Sequence, residues 1–122
     1  MPDSYAMVAD ILDLSDSVIQ AMEHLHVRLS EGHLEDTSYL LEDLKDAVIS
    51  IQNATELLMP HLGDNCISDY TIELQGVVED MSTTYEQRRI EKAKVDMQWI
   101  MLPLAKKWRD ELGRCLTAFK AS

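Results

Sequence analysis

The chain has 122 residues, 46% of them hydrophobic and 27% charged, with four glycines and three prolines. That is enough chain for one buried core, too ordinary a balance for disorder, and too little turn punctuation for a β-rich fold. The net charge of −11 argues against nucleic acid as a partner, because a phosphate-reading surface must be basic; it also disfavours an anionic membrane surface, and no apolar run approaches the ~18 residues of a membrane span.

The start of the chain, Met1-Pro2-Asp3-Ser4-Tyr5, lacks the basic region of a signal peptide. The two cysteines, Cys66 and Cys115, make no disulfide framework. Both features predict a cytoplasmic protein with reduced thiols.

In the first segment Tyr5, Val8, Leu12, Ser15, Ile19, Met22, His26 and Leu29 recur at alternating spacings of three and four. Ile11, Val18 and Leu25 widen this seam, and Asp10, Asp13, Asp16 and Glu23 lie off it. The pattern predicts a helix over about 4–30, closed by Glu31-Gly32 with the glycine at the left-handed position after the helix. Thr37, Leu41, Leu44, Val48, Ile51, Thr55, Leu58 and Leu62 repeat the pattern over about 34–60. Asp36 or Thr37 is placed to cap this second helix, and Pro60 to kink or end its last turn. The short connection makes the two an antiparallel hairpin.

Two further stripes follow the Gly63-Asp64-Asn65 break. Ile67, Tyr70, Leu74, Val77, Met81 and Tyr85 form one; Ile90, Ala93, Met97, Met101, Leu104, Trp108, Leu112, Cys115 and Phe119 form the other. At ~100° per residue they sit about half a turn apart on a single straight helix, so one helix cannot bury both against the same neighbour. Either the chain reverses near Gln87-Arg88-Arg89, giving helices over about 66–87 and 90–119, or one long helix runs through. The reversal makes residues 1–122 a single all-α, antiparallel four-helix bundle. The alternative is two long helices plus one extended helix kinked near Pro103, completed as a dimer. Good helix formers and no turn residue over 86–92 weigh against the reversal, but it closes a compact bundle and is the reading adopted.

Charge divides along the chain. Residues 1–80 hold seventeen acids against two bases, Arg28 and Lys45; residues 81–122 hold five acids against nine bases. The simple expectation is that the basic end packs against acidic helices of the same bundle. The sharper one is that acidic surface is left over for a basic partner.

Chemistry is sparse. Glu23 and His26 have the Glu-x-x-His spacing of di-iron bundles, but such sites need a second copy and two more inward glutamates, and the sequence has no second copy. The expectation is that His26 is a satisfied core or boundary histidine and His24 is exposed. Neither matches the His-x-x-Lys-Gly pattern of histidine-phosphotransfer domains. No Gly-x-Ser-x-Gly, P-loop or dinucleotide fingerprint is present, so the sequence predicts no catalytic residue, metal site or cofactor. Cys115, on the last apolar stripe, reads as a small core residue.

The run Met97-Gln98-Trp99-Ile100-Met101-Leu102-Pro103-Leu104 has seven apolar residues in eight, too many for one face of a surface helix. With Met97, Met101 and Leu104 inward, Val95, Trp99 and Leu102 project outward beside Pro103, near Lys92 and Lys106. An apolar patch rimmed by charge is a reasonable docking site. Val95, Trp99, Leu102 and Pro103 are therefore the candidate partner-binding residues, unless a bundle neighbour covers Trp99 or Pro103 rotates it inward.

The segments Leu25-x-x-x-Leu29-Ser30-Glu31-Gly32 and Leu40-Leu41-Glu42-Asp43-Leu44-Lys45-Asp46-Ala47-Val48-Ile49-Ser50-Ile51 resemble a family of small helical-bundle proteins of Gram-positive bacteria. In size, acidity and helical pattern the chain is similar to flagellar export chaperones. These resemblances imply a bacterial cytosolic binding protein and carry over no functional residue. The functional expectation is a non-enzymatic interaction module, such as a chaperone, adaptor or regulator. It would bind a protein partner or associate with itself as a homodimer. A metal-binding or enzymatic bundle and a purely structural homodimer are the alternatives.

Overall fold

Apolar residues every three or four positions draw the chain into helices that can bury that stripe only against one another. The computed structural model describes residues 4–121, so the N-terminal Met1-Pro2-Asp3 lies outside the described residues. The elements are α1 (Ser4–Ser30), α2 (Ser38–Leu58), α3 (Ile67–Glu86), α4 (Ile90–Asp96) and α5 (Leu102–Ala121). A π-helical turn, Met97–Met101, joins α4 to α5 as one fourth rod, and short 3₁₀ turns occupy Glu35–Thr37 and Met59–His61. No strand occurs among the described residues. α1 packs on α2, α2 on α3, α3 on α5 and α5 back on α1, an up-down-up-down bundle.

Two helix ends explain the connections. After α1, Gly32 takes φ +90, its N–H donates to the Leu29 carbonyl at 3.0 Å and the His33 N–H to that of Arg28 at 2.9 Å. This is a Schellman cap. The same pair of bonds ends α3: Arg88 N–H to the Tyr85 carbonyl at 3.0 Å and Arg89 N–H to that of Thr84 at 3.1 Å. Here the left-handed position is held by Arg88, at φ 56. The chain therefore reverses within Gln87–Arg89, and the extended-helix alternative falls away. An arginine in the place that favours glycine is why no turn residue marks the site.

The core is one continuous cluster. α1 contributes Val8, Ile11, Val18, Met22, Leu25 and Leu29, and α2 Leu41, Leu44, Val48, Ile51 and Leu58. α3 adds Ile67, Leu74, Val78 and Met81, and the fourth rod Ala93, Met97, Met101, Ala105, Trp108, Leu112 and Leu116 among others. Tyr5, expected on the seam, stands exposed, because the wide stripe of α1 is centred on Ile11, Val18 and Leu25. Among the described residues every buried side-chain nitrogen and oxygen has a hydrogen-bond partner. The Trp108 Nε1–H donates to Thr71 Oγ1 at 3.0 Å, and Thr71 in turn donates to the Ile67 carbonyl at 2.7 Å.

Thr37 departs from expectation. It makes no side-chain cap bond at α2; its hydroxyl bonds back to the carbonyls of His33 and Leu34 at 3.0 and 2.9 Å and lies 3.0 Å from the Tyr85 hydroxyl. It ties the α1–α2 connection to the end of α3. Burial pushes the Tyr85 phenol above its ordinary pKa, the bond to Thr37 opposing it and the Asp36 charge adding to it. At the opposite end the Cys66 N–H donates to Glu111 Oε2 at 2.7 Å and the Ile67 N–H to Asn65 Oδ1 at 3.0 Å, so Asn65 and α5 together supply acceptors for the start of α3.

Candidate interaction surface

The fourth rod carries the unusual geometry. Pro103 has no N–H, and in a regular α-helix its ring would press on the Trp99 carbonyl four residues back. The wide turn Met97–Met101, closed by the Leu102 N–H on the Met97 carbonyl, accommodates it. The extra residue resets the helix phase. At ~100° per residue Leu102 would stand ~140° round from Met97; a π turn of roughly 4.4 residues brings it to within ~50°.

Leu102 is accordingly buried, at 8% exposure. Its expected place on the outer surface was wrong because the expectation assumed an unbroken α-helix. The other three candidates do face outward. Trp99 is 69% exposed and Val95 54%, one turn apart, and Pro103 is exposed a turn further on. Pro103 widens the turn without rotating Trp99 into the core.

Ile100, which the inward–outward reckoning overlooked, is 48% exposed. It walls a groove of about 290 Å³ against α3, shared with Val77, Met81, Asp80, Lys92 and Asp96. The signal for it was present in the seven-in-eight apolar run, which outnumbers the inward positions of any helix. The lysines of the rim are paired on their own helix, Lys92 with Asp96 and Lys94 with Glu91 at 3.0 Å, and Asp80 adds one carboxylate. The structure thus gathers Val95, Trp99, Ile100 and Pro103 on one outer strip and removes Leu102 from it.

Elsewhere the charge division has two outcomes. Basic residues of α5 do meet α1: Arg109 Nε lies 2.6 Å from Asp16 Oδ1 and Lys106 Nζ 3.9 Å from Glu23 Oε1. The hydrogen bond from Arg109 to Asp16 and their mutual charge hold the guanidinium pKa above its ordinary value. Residues 38–86, by contrast, hold ten acids and only Lys45. That half of the bundle stays strongly negative.

His24 is exposed and His26 half-buried. Glu23 faces Lys106, and no group of three or more metal-ligating side chains occurs among the described residues. Cys115 is buried and Cys66 exposed. Burial pushes the Cys115 thiol pKa up, and the Glu111 charge adds to this, which disfavours the reactive thiolate. No helix among the described residues is long and apolar enough to cross a membrane.

A family model described as a domain of unknown function (DUF8042) matches residues 6–111, so the chain belongs to that family. No curated protein and no solved structure matches it.

Proposed function

We propose that this member of the DUF8042 family is a non-enzymatic cytoplasmic protein-interaction module, an adaptor, chaperone or regulator, that docks a protein partner on the outer strip of its fourth rod. The observation that carries the reading is Trp99: a tryptophan 69% exposed on a π turn, between Val95 and Pro103 and beside the Ile100 groove. Tryptophan is enriched where interfaces concentrate their energy, and π turns occur frequently at functional sites. The rim lysines are already paired on their own helix, so among the described residues the strip offers apolar area with no unpaired cation on that rim. That suits an amphipathic helix laid into the groove.

Trp99→Ala is the direct test. Its folded state keeps the wild-type circular dichroism and unfolding midpoint, while a stoichiometric partner captured from native lysate by the wild type is lost. Identical capture by the two proteins refutes the reading. Self-association uses the same residues differently: a homodimer seam at Trp99 gives a concentration-dependent mass in light scattering that Trp99→Ala abolishes.

A further inference from the structure

A second groove runs between α2 and α3, on the half of the bundle away from the Trp99 strip, with a volume of about 410 Å³. Its walls follow from helix spacing. On α2, Glu42, Lys45, Ile49, Gln52 and Glu56 share one strip at intervals of three and four; on α3, Ile72, Gln75, Glu79, Ser82 and Glu86 do the same. Val48 and Val78 form the apolar floor. Two polar rungs cross it: Gln75 Nε2 donates to Gln52 Oε1 at 2.9 Å, and Lys45 Nζ sits 3.3 Å from Glu79 and 3.1 Å from Glu42. Ile49 lies between the rungs at 46% exposure and Ile72 beyond the glutamine rung at 63%.

We propose that this groove is a docking site for a basic amphipathic helix from another protein, with its apolar stripe on Ile49 and Ile72 and its lysines or arginines on the flanking carboxylates. Charge selects the occupant. Glu56 and Glu86 lie on the two wall strips and Asp46 and Asp69 beside them, and none has a basic partner among the described residues. These unpaired carboxylates repel an anionic segment and attract a cationic one. Lys45 already shows the chemistry, an ammonium held between carboxylates of both helices. From Lys45 to Gln52 is ~10 Å along the axis and Ile72 adds ~5 Å, so the apolar part of the site matches about ten residues, or three turns, of helix. Glu86 lies ~10 Å beyond the Lys45 rung, within reach of a peptide of about sixteen residues. A second copy of this chain is the poorer occupant. Its own apolar strip carries Lys92 and Lys94 already neutralised by Asp96 and Glu91, and joining two different faces head to tail does not close into a dimer.

The test uses the full chain and a synthetic peptide of ~16 residues with leucines at helical spacing and lysines on the flanks. A scrambled peptide of the same composition and a glutamate-for-lysine version serve as controls, all titrated by calorimetry. The amphipathic lysine peptide binds, and Ile49→Ser together with Ile72→Ser weakens it at least tenfold. Glu56→Gln with Glu86→Gln weakens it severalfold, and Trp99→Ala leaves it unchanged. The substituted residues are exposed, and the thermal midpoint of each variant confirms that it folds. Equal binding of the scrambled peptide reduces the effect to bulk charge and overturns the proposal. Loss of binding in Trp99→Ala moves the site to the fourth rod and overturns it. A peptide-free dimer in light scattering that dissociates on Ile49→Ser makes the groove a self-contact and overturns it too. Because Trp99 is remote from this groove, failure here leaves the reading of the Trp99 strip standing.

Discussion

Replacing Thr71 by valine probes how the third helix is locked to the fourth. The substitution keeps the shape of the side chain and deletes the oxygen that accepts the Trp108 Nε1–H at 3.0 Å. Trp108 is fully buried, so its indole N–H loses its partner in a dry site. An orphaned buried donor costs about 1–3 kcal/mol, and the added methyl offsets part of that, leaving an expected loss of ~1–2 kcal/mol. For a chain of this size that lowers the thermal midpoint by roughly 4–10 °C. Trp108→Phe removes the donor itself, and Thr71 still bonds the Ile67 carbonyl. In that background Thr71→Val costs no more than ~0.5 kcal/mol, so the double-mutant cycle has a coupling of about 1 kcal/mol. The assay is urea unfolding followed by far-ultraviolet circular dichroism, since Trp108→Phe removes the buried tryptophan and leaves only the exposed Trp99 to report by emission. Equal costs in the two backgrounds, or a Thr71→Val protein as stable as wild type, refute the reasoning.

Other perturbations follow from particular contacts. Arg88→Gly relieves a left-handed backbone that Arg88→Ala retains, and both lose the exposed ion pair to Glu35; the glycine variant is more stable than the alanine one by about 1 kcal/mol in urea unfolding. Gly32→Ala has open space for its methyl but inherits φ +90, and loses ~1–2 kcal/mol by the same assay. Leu102→Ala, at a site expected on the surface and found buried, destabilises by ~2–4 kcal/mol, whereas Trp99→Ala stays within ~0.5 kcal/mol of wild type. The Glu111 carboxyl is held below the ordinary glutamate pKa by the Arg114 hydrogen bonds and the Cys66 N–H, burial opposing. Because the folded value is the lower one, its stabilisation is fully present above about pH 4.3, the unfolded glutamate value, and is lost as pH falls through the folded value. Glu111→Gln therefore has its largest deficit near neutrality, and the stability difference from wild type narrows on acidification in pH-dependent denaturation.

The interaction strip shows how much of a site a linear pattern reveals. The apolar excess over 97–104 was legible as a surface feature, and Val95, Trp99 and Pro103 stand where an α-helical wheel puts them. Leu102 and Ile100 do not, because Pro103 is satisfied by a turn of different pitch, and a wheel drawn at a single angle per residue cannot contain one. The α2–α3 groove was not legible at all. Its wall residues lie on two helices more than twenty residues apart, and Ile49 and Ile72 alone read as scattered surface apolars.

The sequence by itself determined the four apolar stripes, the first hairpin with its glycine cap, and the excess of acid over residues 1–80. Those are local properties, written in spacing and composition. Only the tertiary structure decided the second reversal, because a Schellman cap can be held by Arg88 when the helices on either side bury their stripes against α1 and α2. It alone decided which charges remain open: α5 neutralises part of α1, and among the described residues no basic helix pairs with the outer face of α2 and α3. Packing across the bundle, rather than propensity along the chain, supplies the free energy for both.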